Sequence, residues 1–344
     1  MDSYSMTVRA LCNVHCHLRE GKDLMRDLIA LAVKGGADVL APMPNTKDGL
    51  TTAAMVLKYC DIAKECVQPE EVTFLPIMMI NEYTSSEDIK RCFHGGIDDC
   101  KVYPLNRTTK SHNGVRHYSR LIKIIRECGE LGIKCHFHPE HPWNLFSNRD
   151  AEFVFLSTID MFMNETNATI IWEHGTDARC IPYWKEMAQS KRFFVTITAH
   201  HLVADEDGEF GDVRSVCKPP IKTYRDRYEL VRFVKENHSW VMAGPDDAPH
   251  DRATKHPETG CCSCGAYTAP FLLQLYAHAL NPANDNLAFE NFVSRNARDL
   301  HGLPPSTRKI TLVKKPFQIP LSYQVGPWTV EPFWAGKTID WSLG

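Results

Sequence analysis

The sequence predicts an α/β protein built as a (β/α)8 barrel of the TIM type. Eight apolar runs of strand length recur along the chain, and segments with helical spacing fill most of the gaps between them. The alternation occupies roughly 250 residues, the size of one such barrel. Strands are expected at 7–17, 37–44, 72–80, 97–104, 132–139, 169–174, 193–201 and 239–246. Most are bounded by Gly, Pro or Asn and are nearly continuously apolar, as strands buried on both faces should be. Helices are expected over 23–34, 52–66, 86–93, 118–131, 150–163, 177–189 and 224–236, with two more at 266–279 and 287–300. Ser85-Ser86-Glu87-Asp88 and Thr176-Asp177 supply acceptors for the orphan N–H groups of helix starts. Gly35-Gly36, Gly95-Gly96 and Gly132 stand where a helix-terminating glycine belongs. A doubly wound open sheet is the alternative, but it usually has fewer strands, and the glycine fingerprint that would follow its first strand is absent. No internal repeat or low-complexity segment is visible. Residues 304–344, rich in Pro, Trp and Phe, read as a covering segment on a single catalytic domain spanning 1–344.

Composition narrows the class. The 344 residues carry a formal charge of −3 and 43% hydrophobic residues, which argues against a nucleic-acid partner, since such proteins usually show a basic stripe. No apolar run approaches the ~18–20 residues of a membrane span. The start, Met1-Asp2-Ser3-Tyr4-Ser5-Met6, has neither a basic nor an apolar leader region, so a cytoplasmic location is expected. In an unexported chain, thirteen Cys read as reduced thiols or metal ligands. The Asn164 and Asn167 sequons are then chance matches. Sixteen His remain to be explained.

In a barrel of this type the reactive face lies at the C-terminal ends of the strands, and the polar outliers gather there. The first strand ends in His15-Cys16-His17, whose two His share one side. The fourth carries Lys101, the fifth His136 and His138, the sixth Glu173-His174, and the eighth Gly244-Pro245-Asp246-Asp247-Ala248-Pro249-His250. Each has a plain alternative: a lone His is commonly a hydrogen-bonded core residue, a strand Lys snorkels to the rim, and an Asp after Gly is a turn residue. Together on one face, four His positions, a Lys and an Asp fit a metal site better than coincidence. Imidazole and carboxylate suit zinc and similar ions, and two ions ~3.5–4 Å apart can share a hydroxide. A lysine ammonium has only donors and cannot bridge two ions, whereas a carbamylated lysine presents a carboxylate.

The motif His15-Cys16-His17-Leu18-Arg19-Glu20-Gly21 resembles the H-x-H-L-R-[DE]-G signature of dihydroorotases in the amidohydrolase superfamily. The likeness continues through Met43-Pro44-Asn45, Lys101-Val102-Tyr103-Pro104, Thr108-Thr109 followed by Asn113-Gly114-Val115, Glu173-His174 and the Asp246–His250 segment. It covers about residues 10–270, with 328–341 resembling the family's tail, and the Lys-x-Tyr-Pro and Thr-Thr segments point to the shorter, bacterial-type class II enzymes.

The resemblance implies a metal-dependent amidohydrolase barrel with two Zn2+ per subunit, bridged by carbamylated Lys101 and a hydroxide. One ion would sit on His15, His17 and Asp246, the other on His136 and His174. Within the fifth strand the register makes His136 the ligand, although His138 points the same way. Arg19, Asn45 and His250 would grip the substrate carboxylate, Thr108 and Thr109 would lie on a closing loop, and Asp246 would shuttle the proton. The implied reaction is the reversible cyclisation of N-carbamoyl-L-aspartate to L-dihydroorotate in pyrimidine biosynthesis, by a homodimer. Tyr103 reads equally as a site-lining residue or a packed aromatic.

Asp247 departs from the family pattern and is expected to face solvent. Cys261-Cys262-Ser263-Cys264 lacks the second pair of a zinc knuckle and reads as a substrate-side loop, with Lys218 of Cys217-Lys218-Pro219-Pro220 in a second backbone contact region. His200-His201 is expected to support the site or pack a loop. Rival readings are another cyclic amidase, such as a hydantoinase or allantoinase, and a non-catalytic scaffold for aspartate transcarbamoylase. The Arg19, Asn45 and His250 clamp favours an anionic substrate over the first, and the full ligand complement favours an enzyme over the second.

Overall fold

A computed structural model describes residues 4–68, 71–142 and 145–344, so Met1–Ser3 of the N-terminal reading lie outside the described residues. The first expected strand is two strands. β1 (Ser5–Arg9) lies outside the barrel, and β2 (Leu11–Cys16) enters it with every residue buried. Helix α1 (Lys22–Lys34) leads to β3 (Ala37–Pro42), and Gly35 passes so close to the chain that a Cβ there would meet the Ala269 carbonyl oxygen. Helix α2 (Ala53–Lys64) starts on the Thr52 hydroxyl. The third barrel strand is broken into β4 (Thr73–Phe74), paired with β3, and β5 (Ile77–Ile80), paired with the next strand. Pro76, which has no N–H to offer a ladder, stands at the break.

Helix α3 (Ser86–His94) opens with a reciprocal capping box between Ser85 and Asp88, as the run of hydroxyl and acidic residues predicts. β6 (Asp99–Val102) follows. Helix α4 (Ile122–Leu131) ends on left-handed Gly132, and β7 (Lys134–Phe137) comes next. The remaining barrel strands are β8 (Ile170–Trp172), β9 (Phe193–Ile197) and β10 (Val241–Ala243). Strands β5 to β10 form one parallel sheet and β2 to β4 another. The ring closes where Asp246 N–H donates to His15 O at 3.0 Å and His17 N–H donates to Asp247 O at 3.0 Å.

One expectation about the strands needs correction. The seventh strand stops at Ile197, and Ala199–Val203 is a short helix capped by the Thr198 hydroxyl, so His200-His201 does not end a strand. Residues 304–344 return to the N-terminal segment. Their strand β11 (Lys309–Val313) pairs antiparallel with β1 on one side and with Ser342–Leu343 on the other.

Alternation along the strands builds two cores. Inside the barrel, Cys12, Val14, Val39, Ala41, Ile77 and Met242 pack the lower layers. Outside, aromatic side chains join the sheet to the helices: Phe137 lies 5.2 Å from Phe162, and Trp172 lies 5.7 Å from Trp184, between ring centroids. Burying each such ring contributes roughly 1.5–3 kcal/mol. This packing fixes the strands from outside and leaves their upper inner ends to carry polar groups. Among the described residues no helix is long and apolar enough to cross a membrane.

Candidate active site

The strand period of two places His15 and His17 on one side of the chain leaving β2, Lys101 inside β6, and His136 inside β7 with His138 just beyond its end. At the end of β8 the alternation is broken. His174 adopts φ of 40°, so Glu173 and His174, although consecutive, both join the polar cluster. Asp246, beyond β10, has φ of 52°, and Arg19 has φ of 56°. Non-glycine residues pay for this conformation with local strain, and such positions cluster where function fixes a side chain.

These residues meet at the barrel mouth. Asp246 Oδ1 lies 3.1 Å from His15 Nε2 and 3.1 Å from His17 Nε2. Ligand atoms of His15, His174 and Asp246 all fall within 4.8 Å of one another. The His138 ring centroid is 4.5 Å from that of His174, which is 5.2 Å from that of His15. Lys101 Nζ is fully buried without a hydrogen bond among the described residues; Glu173 Oε1 is 3.8 Å away and the Tyr103 ring centroid 5.3 Å. His174 Nδ1 is likewise buried and unpartnered. Leaving such groups unpaired in a dry interior is costly; a bound cation would satisfy the His174 lone pair, whereas Lys101 could join it only as a carbamate.

His136 does not belong to this group. Its Nδ1 lies 2.5 Å from Glu173 Oε1 and its Nε2 lies 2.9 Å from Asp99 Oδ1, so both ring nitrogens are engaged away from the mouth. The reason is depth. Residues two apart on a strand share a face but are separated by about 6.6 Å along it. His136 therefore sits one layer down, beside Lys101 in register, while His138 reaches the rim. His138 Nε2 contacts Glu140 Oε2 at 2.8 Å, which leaves Nδ1 as its available donor atom.

Glu173 is the residue of this cluster to which the sequence attached no role. It joins His15 Nδ1 at 2.7 Å to His136 and accepts from the Thr196 hydroxyl at 2.9 Å. The signal was its place immediately before a strand-end His. Glu140, two residues after His138, holds that ring and also meets Arg107 Nε at 3.4 Å.

Electrostatics favour the ligand forms of His17, His174 and Asp246, whereas at His15 burial is outweighed by Glu173 and Asp246, which raise the imidazole. Burial pushes His17 down to about 4 and holds His174 well below the ordinary histidine range, with the nearby His138 adding to the effect. Burial works to raise Asp246, but His15 and His17 outweigh it and keep the carboxylate ionised. Burial also lowers Lys101, against the pull of Glu173. Asp247 contradicts its expected solvent exposure: it is buried and accepts from Asn13 Nδ2 at 2.7 Å and from the Thr268 hydroxyl at 3.2 Å. Burial raises it to about 7.

Beside the cluster, Arg19 Nη2 lies 3.2 Å from His250 Nε2, and Arg19 Nε donates to Pro249 O at 2.8 Å. Asn45 Nδ2 donates to Thr109 O at 3.0 Å, and its Oδ1 accepts from the Tyr103 hydroxyl at 3.1 Å, so Tyr103 is a buried aromatic that also positions a site residue. Thr109 Oγ1 and His250 Nε2 converge on the Cys264 carbonyl, at 3.1 and 2.8 Å. Thr108 is turned into its own loop, its N–H donating to Ser111 Oγ at 3.1 Å. Lys218 Nζ reaches Asn148 Oδ1 at 2.6 Å and points across a neighbouring loop. His200 is buried with both ring nitrogens unpartnered, while His201 is held between Thr198 Oγ1 at 2.7 Å and Pro219 O at 3.1 Å.

No family model matches the chain. It is 30% identical to a dihydroorotase of Coxiella burnetii over 96% of this chain and 95% of the relative. The structure superposes on that of a Saccharomyces cerevisiae dihydroorotase in complex with 5-fluoroorotic acid with a TM-score of 0.92 and 25% identity, covering 99% and 98% of the two chains. An L-hydantoinase from Arthrobacter aurescens shares the fold at a TM-score of 0.83, with 13% identity over 98% of this chain and 83% of that one. The near full-length likeness to dihydroorotases, and the barrel that carries the cluster above, place this chain in the dihydroorotase family of the amidohydrolase superfamily.

Proposed function

We propose that the chain catalyses the reversible cyclisation of N-carbamoyl-L-aspartate to L-dihydroorotate in pyrimidine biosynthesis. The carrying observation is the convergence of His15, His17, His138, His174 and Asp246 around a buried, unpartnered Lys101, with Arg19 and His250 3.2 Å apart beside it. His15, His17 and Asp246 would hold one zinc and His138 and His174 a second, with carbamylated Lys101 between them; His138 replaces His136 in this assignment. When bound, the metals would supply an activated water and polarise the reacting carbonyl. Asp246, ionised and 3.1 Å from both His15 and His17, is the group that accepts a proton and returns it to the ring nitrogen. Arg19 and His250, with Asn45, bind the carboxylate, and Thr109 closes the mouth from the loop side. Thr108, Lys218 and Cys264 contribute through the loops on which they sit; for Cys264 the available group is its carbonyl. The whole chain acts as one catalytic domain with 304–344 as its cover. We place it in the cytoplasm as a homodimer, a reading supported by the family and by thirteen free thiols.

The test is hydrolysis of dihydroorotate by purified protein, with metal analysis of the same sample and the mass of the Lys101 peptide, handled without acid because carbamates are labile. The reading requires turnover together with bound divalent metal. Metal-free protein that zinc fails to activate would overturn it, as would an Arg19→Met variant with unchanged kcat/KM for dihydroorotate.

A further inference from the structure

The outer faces of β6 and β7 carry a feature that the proposed reaction does not use. Cys100 and Cys135 are direct partners in the parallel ladder, and both point away from the barrel interior toward α4, which contributes Cys128. All three are free thiols and fully buried. Cys100 Sγ lies 3.7 Å from Cys135 Sγ and 3.9 Å from Cys128 Sγ, and all three sulfurs fall within 4.8 Å of one another. No other three thiols come this close among the described residues. A shared central atom at a bond length of about 2.3 Å sets sulfur–sulfur edges of about 3.8 Å in tetrahedral geometry and about 3.4 Å around a pyramidal trivalent centre, so the Cys100 contacts would close by only a few tenths of an ångström on binding. The trio is therefore spaced for one central atom before anything binds.

Charge decides which atom. Hydrogen bonds from Cys100 and Cys135 pull Cys128 down to about 5, so the trio favours one thiolate, while the nearby carboxylates of Glu127 and Asp99 work against further negative charge. Three thiolates around a monovalent ion would leave a charge of −2 in this apolar layer, and around a divalent ion −1. Around a trivalent centre they leave none, which avoids burying an unpaired charge. We infer that Cys100, Cys128 and Cys135 form a buried trithiol site for a neutral trivalent thiophile of the arsenite or antimonite class, one per chain. With arsenite the step is a condensation: three S–H groups and As(OH)3 give three As–S bonds and three waters. Three As–O and three S–H bonds break, and no oxidation state changes.

The experiment uses the full-length, reduced protein carrying Cys261→Ser and Cys262→Ser, which removes an exposed and a half-buried thiol that could compete. Arsenite is added and the intact mass is measured under native conditions. The expected product gains one arsenic and loses three hydrogens, and X-ray absorption at the arsenic edge finds three sulfur neighbours. Adding Cys128→Ala removes the third arm and weakens uptake about a hundred-fold or more. Cys128→Ser serves the same purpose if the alanine variant does not fold, and the absorption measurement needs no further variant. Failure of the starting protein to take up arsenite, arsenic bound to fewer than three sulfurs, or equal uptake with Cys128 replaced would each overturn the inference. Any of these results leaves the dihydroorotase reading untouched.

Discussion

The two faces of β6 and β7 carry opposite chemistry on alternate residues. Inward stand Asp99, Lys101 and His136, with His138 just beyond the strand; outward stand Cys100, Val102, Cys135 and Phe137. The inner set is buried, ionisable and only partly satisfied, whereas the outer set packs into the main hydrophobic core. One backbone thus serves two purposes, and a period of two keeps them apart. The difference teaches that stability and reactivity are here drawn from the same residues' neighbours, so substitutions one position apart should fail in different ways.

The largest expected effect is at the inner rim. His138→Ala should lower kcat/KM for dihydroorotate about a thousand-fold or more while the protein stays folded. A loss under ten-fold would return the ligand role to another residue. His136→Ala tests the layer beneath. It leaves Asp99 and Glu173 without the imidazole they share and should cost about 3–5 kcal/mol in urea unfolding. If it instead released metal without loss of stability, the two histidines would have to exchange roles.

On the outer face, Val102→Ala should cost about 2 kcal/mol by the same measurement, with kcat/KM of the folded protein within two-fold or so of wild type. A large catalytic effect there would show that the faces are not independent. The smallest effect lies furthest out, where Asp226 in the helix Tyr224–Lys235 accepts from Thr223, Ala178 N–H and Arg149. Burial works to raise this carboxyl, but those partners hold it below its ordinary value. A lowered carboxyl stabilises the fold above its unfolded pKa of about 3.9, and the contribution is lost as pH falls through the folded value. Asp226→Asn should therefore flatten the acid limb of Tm against pH and leave activity at neutral pH unchanged.

Much of this was legible in the sequence, for reasons that also mark where legibility ends. Parallel strands buried on both faces read as apolar runs, so all eight barrel strands were expected near their observed places. The capping box at Ser85 and the stop at Gly132 are local, and local signals were read correctly. Depth inside the barrel is not local. His136 and His138 share a face, and only the register of β7 against β6 and β8 decides which reaches the rim. Asp247 was expected in solvent because its partners, Asn13 and Thr268, come from distant strands and loops. The run from Phe193 to His201 stays largely apolar past Ile197, so periodicity could not show that the Thr198 hydroxyl starts a helix. The thiol trio depends on how α4 docks on the sheet, which no spacing along the chain records.

The pairing of β1 with β11 has a consequence for how the protein is made. Residues Ser5–Arg9 leave the ribosome long before their partners Lys309–Val313. Until Lys309–Val313 has been made, β1 has an open edge, and contacts so distant in sequence are slow to form. A chain truncated before Lys309 would keep every residue of the barrel mouth and still expose that edge permanently. Its expected defect is aggregation during expression rather than loss of chemistry.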